Sequence, residues 1–301
     1  MHDNIFHIDE REYILPGSRA CQGCGLSLSY RMLLKALGQD VIVTIPASCL
    51  CVLHGLYPLT PVSVSCLNTT FASTAASASG IVAGLKALNK SETTVVAMAG
   101  DGSTYDMGIQ ALSGAAERNT DFIFVCYDNE GYMNTGTQRS SATPQGAVTT
   151  TTPINPKQDM KKDFLKIMEA HHPPYLAATS PAYPLDLHAK FVKAKGIEGT
   201  RYIQIHTPCP PGWAFPTKDT IKIAKSAIET GMDILFEIEN DELRLTGRSK
   251  ALAKIGKRAP VSDYTAQQGR FNKISPESLE TLQNWVDRRW NDYIERADKV
   301  R

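Results

Sequence analysis

Apolar positions along this chain fall into two alternating patterns. Short apolar runs occur at 41–45, 62–66, 95–99, 122–127, 175–179 and 201–206, bounded by Gly, Pro, Asn or Asp. Strands buried on both faces of a parallel sheet read this way. Between them lie stretches whose apolar residues recur at three and four, predicting helices over 26–37, 72–88, about 107–117, 157–170, about 184–194 and 217–232. Gly38 and Gly231 stop the first and last of these, and Thr217 or Asp219 caps the last. Segments 234–238 and 242–246, split by Asn240-Asp241, predict a β-hairpin. A closing helix over 276–297 carries the stripe Leu279, Leu282, Trp285, Val286, Trp290 and Tyr293.

Strand and helix in alternation predict an α/β fold: an open parallel sheet with helices on both faces, followed by a hairpin and helix extension. The expected division is an α/β domain over 1–240 and an extension over 241–301 that packs on that domain or on a neighbouring subunit. Residues 1–20 read as a polar arm ending in the turn Pro16-Gly17-Ser18, and 143–156 as a long surface loop. The Lys161-Lys162 pair reads as part of a solvated basic face.

Composition narrows the class. The chain has 301 residues, 42% hydrophobic and 21% charged, with formal net charge +1. That is a globular composition, with no charge bias to recruit nucleic acid or an anionic membrane. No apolar run approaches the roughly 18 residues of a membrane span, and the opening MHDNIFHIDERE is too acidic and polar for a signal peptide, so a cytoplasmic location is expected. Seven cysteines in such a chain are expected as thiols or metal ligands.

The candidate chemistry sits at strand ends. Run 95–99 breaks at Gly100-Asp101-Gly102 and run 122–127 delivers Asp128-Asn129, at the sheet edge where open α/β folds bind ligands. Asp101, the Asn129 amide oxygen and the Gly131 carbonyl suit Mg²⁺ held on a diphosphate. Cys21 and Cys24, as a CxxC with glycine inside, join Cys49 after a strand and Cys209 after another. Thiolates from such loops suit an iron–sulfur cluster or a structural zinc. Cys51 competes with Cys49. Cys66 and Cys126 lie in strand patterns and read as small core residues. His54, His171, His172 and His206 have no spaced partner and read as structural or surface residues. The Ala, Ser and Gly face of 72–88 serves helix packing or contact with a cofactor.

The Gly100-Asp101-Gly102 motif, twenty-six intervening residues and then Asn129, with the continuation Tyr127-Asp-Asn-Glu-Gly-Tyr-Met-Asn-Thr-Gly136, resembles the signature of thiamine-diphosphate enzymes. The chain is similar to the β subunits of pyruvate:ferredoxin oxidoreductase and related 2-oxoacid:ferredoxin oxidoreductases. The likeness runs from about Arg19 through Gly269-Arg-Phe271 and Asp287-Arg-Arg-Trp290. It implies a thiamine-diphosphate-binding fold, with Mg²⁺ on Asp101, Asn129 and Gly131, and with Gly100, Gly102, Ser103, Thr135, Ser48 and Phe71 around the cofactor. It implies Asn134 as the residue that meets substrate, and a [4Fe-4S] cluster on Cys21, Cys24, Cys49 and Cys209, the spacing from Cys24 favouring Cys49 over Cys51. Ala47-Ser48 replaces a usual Thr-Gly pair and Thr137 follows the NTG, departures that remove no ligand.

The same resemblance implies oxidative decarboxylation of a 2-oxoacid, pyruvate first and 2-oxoisovalerate or oxalate as alternatives, with coenzyme A taking the acyl group and ferredoxin the electrons. It implies partner α, γ and δ-type subunits, the α subunit supplying a glutamate, so this chain alone is expected to be inactive. Two other readings stand beside it: a non-oxidative thiamine-dependent decarboxylase or carboligase with a structural zinc, and a scaffold that has kept the fold without the chemistry.

Overall fold

The structure, a computed structural model, describes residues 8–56 and 58–298. The first seven residues of the polar arm lie outside the described residues.

In chain order the first half comprises α1 (Gly25–Leu37), β1 (Val41–Pro46), α2 (Cys49–His54), β2 (Ser65–Thr69), α3 (Thr74–Ala87) and β3 (Thr94–Gly100). A π-helical turn (Gly102–Met107) leads into α4 (Ile109–Glu117), then β4 (Phe122–Asp128). The second half comprises α5 (Phe164–Glu169), β5 (Tyr175–Thr179), α6 (Pro184–Lys195), β6 (Thr200–His206), α7 (Pro210–Trp213) and α8 (Thr220–Thr230). It closes with β7 (Phe236–Glu239), β8 (Glu242–Leu245), α9 (Gly247–Ile255), α10 (Val261–Thr265) and α11 (Pro276–Asp298).

The strands form one eight-stranded sheet in the order β2-β1-β3-β4-β6-β5-β7-β8. The first six run parallel, and the hairpin β7–β8 joins antiparallel at β5. Side chains alternate across the sheet because the strand period is two. Val96, Met98, Ile123 and Val125 face one core with α1 and α6, whereas Val95, Ala97, Phe122 and Phe124 face the other with α3 and α4. A third core gathers Trp213, Ile223, Tyr264, Phe271, Leu282 and Val286. The α11 stripe is thus buried within this chain: Leu282 and Val286 in that third core, and Tyr293 against Phe236, with ring centroids 4.6 Å apart. Parallel register places Gly100 opposite Tyr127, so Asp101 and Asp128 leave adjacent strands at one level.

Several expectations fail for identifiable reasons. The 157–170 helix is helical only over Phe164–Glu169, because Lys157 and Lys161 turn inward to backbone carbonyls and carboxylates and hold the preceding segment extended. The 143–156 loop is not a surface loop over its first half. Thr143, Ala147 and Thr149 are buried, and its backbone is tied by Val148 N–H to the Arg270 carbonyl (2.7 Å) and Lys157 N–H to the Ala147 carbonyl (3.0 Å). Its threonines look polar in sequence but spend their hydroxyls inside the protein, Thr143 donating to the Glu130 carbonyl at 2.7 Å. The 62–66 strand is shifted to Ser65–Thr69 on the sheet's edge, which leaves Cys66 exposed rather than in the core; Cys126 is buried. Neither Thr217 nor Asp219 caps α8 through its side chain; a 3₁₀ turn over Thr217–Asp219 leads in, and Gly231 at φ +79° ends it.

His54 is buried against the Tyr30 hydroxyl at 3.0 Å, and burial lowers its pKa to about 4. Between pH 6.5 and 4 the unfolded chain takes up this proton and the folded one does not. Stability present above pH 6.5 is therefore lost as pH falls, by up to about 3 kcal/mol. His54→Gln is expected to flatten the pH dependence of the unfolding midpoint over that window; an unchanged slope would show that another group carries it.

Candidate active site

Asp101 emerges from β3 fully buried, and Asn129 follows the carboxylate that ends β4. One terminal atom of the Asn129 amide stands 2.9 Å from both Asp101 Oδ1 and the Gly131 carbonyl oxygen. Placed as nitrogen, that atom donates to both. Placed as oxygen, it closes a group of three oxygens with no proton among them, which only a cation satisfies. Adjacent ligands of an octahedral Mg²⁺ with bonds of 2.0–2.1 Å stand about 2.9 Å apart, so the spacing fits that ion. Burial and the neighbouring Asp128 push the Asp101 carboxyl well above the ordinary carboxylate range, although Ser140 donates to its Oδ2 at 2.5 Å. A cation there would restore the charged form.

Above this trio lies a pocket lined by Ser48, Phe71, Gly100, Gly102, Ser103, Asn129, Gly131, Asn134 and Thr135, every pocket-facing residue the sequence nominated. Asp101, fully buried, does not line it. Gly102 is required by close approach, since a Cβ there would lie 2.4 Å from the Tyr132 ring. Tyr132 stacks on Phe71 (5.9 Å between centroids) and donates to Asp106 Oδ2 at 2.8 Å. The Ser103 hydroxyl donates to the Phe71 carbonyl at 2.5 Å, tying the β2 loop to the β3 loop, and Thr135 donates to Gln138 Oε1 at 2.5 Å. Ser48 donates to the Pro46 carbonyl at 2.8 Å. Asn134 is exposed on the rim. No carboxylate lines this pocket among the described residues.

Thr137, which closes the 132–138 loop, holds φ +65°, a conformation β-branched residues rarely adopt. Relief of about 1–3 kcal/mol of strain on Thr137→Gly is offset by about 0.5–1 kcal/mol of glycine's chain entropy. The variant is expected to unfold at the same temperature or higher, and a clear loss of stability would mean the threonine side chain holds the loop.

A buried ionic group underlies the Asn129 loop. Glu130, at φ +63°, meets Lys161 at 3.1 Å, Arg270 at 2.6 Å and His206 at 3.5 Å. Asp128 Oδ2 accepts from Lys161, Tyr105 and Gln204, each at 3.2 Å, and its Oδ1 accepts from the Glu130 N–H at 3.0 Å. Against the cost of burial, Lys161, Arg270 and His206 hold the Glu130 carboxyl well below its usual range. Lys161 is therefore not a solvated surface charge, and its neighbour Lys162 donates to the Tyr105 carbonyl at 2.6 Å. Trp213 Nε1 donates to the Asn129 carbonyl at 2.8 Å, fixing the loop from the β6 side.

Cys21, Cys24, Cys49 and Cys209 line a second pocket together with Arg19, Val52, Leu53 and Pro208. Cys51 does not line it, and Cys49, Asn129 and Asn134 belong to both pockets, which thus share a rim. The four thiols surround a space rather than a point: among the described residues no three of His, Cys, Asp and Glu are gathered tightly enough to hold one ion. A single zinc needs its sulfurs about 2.3 Å from one centre, whereas a cubane spreads four thiolates over separate irons. Burial, then the neighbouring cysteines, pushes the Cys49 and Cys209 thiols up to about 12. Thiols so placed ionise only for a bound metal.

The sequence reading missed Ser140, Lys161, Trp213 and Arg270, which hold the cofactor loop from beneath. Arg270 lay in a noted Gly-Arg-Phe, the one available signal. Of the histidines, His171 meets Ser113 at 2.8 Å and His172 meets Asp241 at 2.9 Å, both away from the site. His206 is buried beside Glu130 and Trp213.

Fold and site together define a thiamine-diphosphate enzyme. Residues 47–205 match the family described as thiamine pyrophosphate enzyme, C-terminal TPP binding domain. The chain is 44% identical over 294 residues to pyruvate synthase subunit PorB of Methanocaldococcus jannaschii, covering 94% of this chain and 97% of that one. It is also 44% identical over 289 residues to ketoisovalerate oxidoreductase subunit VorB of Pyrococcus horikoshii, covering 93% and 91%. The chain therefore belongs to the 2-oxoacid:ferredoxin oxidoreductase family, among its PorB and VorB subunits. A 2-oxoglutarate:ferredoxin oxidoreductase from Magnetococcus marinus shares the fold, with a TM-score of 0.56 at 19% identity over 71% of this chain and 78% of that one. No described helix is long and apolar enough to cross a membrane.

Proposed function

We propose that the chain is the β subunit of a pyruvate:ferredoxin oxidoreductase, which converts pyruvate and coenzyme A to acetyl-CoA, CO₂ and a proton while two electrons pass to ferredoxin. The observation that carries this is the shared rim, where Cys49, Asn129 and Asn134 border both the cofactor pocket and the four-cysteine pocket. Bound thiamine diphosphate supplies the electron sink for decarboxylation, and a cluster beside it accepts electrons singly.

Asp101, Asn129 and the Gly131 carbonyl would hold Mg²⁺ against the diphosphate, with Gly100, Gly102, Ser103 and Thr135 giving backbone and hydroxyl contact around it. Ser48 and Phe71 would flank the ring, and Asn134, exposed between the pockets, would donate its amide to developing oxyanion charge on the substrate. Cys21, Cys24, Cys49 and Cys209 would ligate a [4Fe-4S] cluster.

The pocket offers no carboxylate to assist the cofactor's activation, which supports completion by an α subunit; γ and δ-type subunits and a cytoplasmic setting belong to the same proposal. The PorB and VorB relatives match equally at 44%, so 2-oxoisovalerate is the second reading. The complex purified without air and offered pyruvate, 2-oxoisovalerate and oxalate in parallel tests both. It is expected to absorb broadly near ~400 nm, to hold about four irons per β chain more than the same complex carrying both Cys21→Ala and Cys24→Ala, the partner subunits' own clusters counting equally in both, and to turn over pyruvate fastest. A colourless, iron-free complex overturns the proposal. The isolated chain is expected to show no turnover with a viologen dye.

A further inference from the structure

Trp213 ends α7, the four-residue helix that begins directly after Cys209, and its own N–H donates to the Cys209 carbonyl at 2.9 Å. From that position its indole N–H reaches the Asn129 carbonyl at 2.8 Å. One short helix therefore touches both sites: a nominated cluster thiolate at its start, and the backbone of a nominated magnesium ligand at its end.

The contact is braced on every side. The Arg270 guanidinium lies 3.8 Å over the Trp213 ring and at the same time donates to Glu130, the residue after Asn129, at 2.6 Å. Gly212 is pressed so closely that a Cβ there would lie 2.2 Å from Met133 Sδ, on the cofactor loop, and 3.2 Å from Cys209 Sγ. Gly269 N–H donates to the Ala214 carbonyl at 3.0 Å, fixing the far end of the helix to the strand of chain that carries Arg270. Nothing in this assembly is free to move alone, because Trp213 is wholly buried and close-packed groups transmit displacement.

We propose that Trp213 is a positioning residue that couples the two sites: the loop bearing Cys209 holds the Asn129 loop in its cation-binding shape through the indole N–H. Ligation of Cys209 then strengthens binding of thiamine diphosphate and Mg²⁺, and by reciprocity the bound cofactor strengthens ligation of the cluster by the same factor. The inference rests on the proposed function. Trp213→Phe keeps most of the ring and its place under Arg270 but leaves the buried Asn129 carbonyl without its donor; the cofactor-free loop relaxes to find another, and returning it to the cation-binding shape costs at most roughly 5–100-fold in affinity.

The test uses the assembled complex, with thiamine diphosphate and Mg²⁺ as the probe and dissociation constants measured for wild type, Trp213→Phe, Cys209→Ala and the double variant. Each single variant is expected to bind about tenfold more weakly, and the double variant no more weakly than the worse single. Wild type is expected to hold its cluster against an iron chelator more tightly when cofactor is bound, about tenfold in the chelator concentration that removes half of it, and Trp213→Phe equally with and without cofactor. Wild-type affinity in Trp213→Phe, multiplying effects in the double variant, or a cofactor effect on cluster retention that persists in Trp213→Phe would each overturn the coupling. Should Trp213→Phe fail to assemble, Arg270→Lys, which keeps a charge for Glu130 but loses the stack, is read by the same two measurements. Iron and thiamine content of the wild-type complex report on the proposed function separately: a colourless complex sinks that reading, whereas a brown, cofactor-bearing one with an unaffected Trp213→Phe sinks only the coupling.

Discussion

Asp101→Asn is expected to abolish retention of thiamine diphosphate and Mg²⁺ while leaving the cofactor-free chain as stable as before or more so. The asparagine can still accept from Ser140, so the hydrogen bond at 2.5 Å has a successor. What disappears is the one charge among the three oxygens that meet at 2.9 Å. Loss of a partner outside the ligand shell costs about 10–100-fold in metal affinity, and loss of the sole anionic ligand is expected to exceed that. Stability moves the other way because, without a cation beside it, burial and Asp128 disfavour the Asp101 carboxylate. The two halves are measured separately, by titration with cofactor and by thermal unfolding without it. Binding within tenfold of wild type would remove Asp101 from the cation site, and a large fall in the unfolding temperature would make it structural.

The second large effect is expected at Arg270. Arg270→Met leaves Glu130, only 2% exposed, with Lys161 and the more distant His206. Breaking one side of a buried ion pair costs about 3–5 kcal/mol, because the remaining charge keeps its desolvation penalty. Glu130→Gln in the same background removes that charge, so the double variant is expected to recover part of the loss, and a denaturation cycle of the four proteins reads the coupling. Additive losses would mean that Arg270 acts through its stack on Trp213, at 3.8 Å, rather than through the carboxylate. The same cycle bears on cofactor retention, since Glu130 directly follows Asn129 and its ion pairs with Lys161 and Arg270 anchor that turn.

These two sites show how unevenly the molecule could be read beforehand. The meeting of Asp101 and Asn129 was legible because both follow directly on neighbouring parallel strands, and the strands announce themselves by their apolar runs. Cys21, Cys24, Cys49 and Cys209 were legible as candidates from the CxxC and two strand ends, and as a set only through the family resemblance, which preferred Cys49 to Cys51; the structure lines one pocket with all four. Arg270 was not, because it meets Glu130 across 140 positions, and no local pattern marks a surface-type residue that is taken inside. Lys161 failed for the same reason: beside Lys162 it looks like a solvated charge, and only the approach of Asp128 and Glu130 makes burial tolerable.

Local periodicity by itself determined most of the parallel strands and the longer helices between them, because strand and helix periods and glycine breaks act over a few residues; it misplaced β2 and left α9 and α10 unmarked. The tertiary structure alone decided that the two pockets share a rim at Cys49, Asn129 and Asn134, that the threonine-rich segment after Ser140 threads inward, and that Trp213 joins Cys209 to Asn129. Those outcomes depend on strand order and on pairing buried charges across the chain. They are settled when desolvation must be compensated in three dimensions, and one-dimensional spacing carries no record of that.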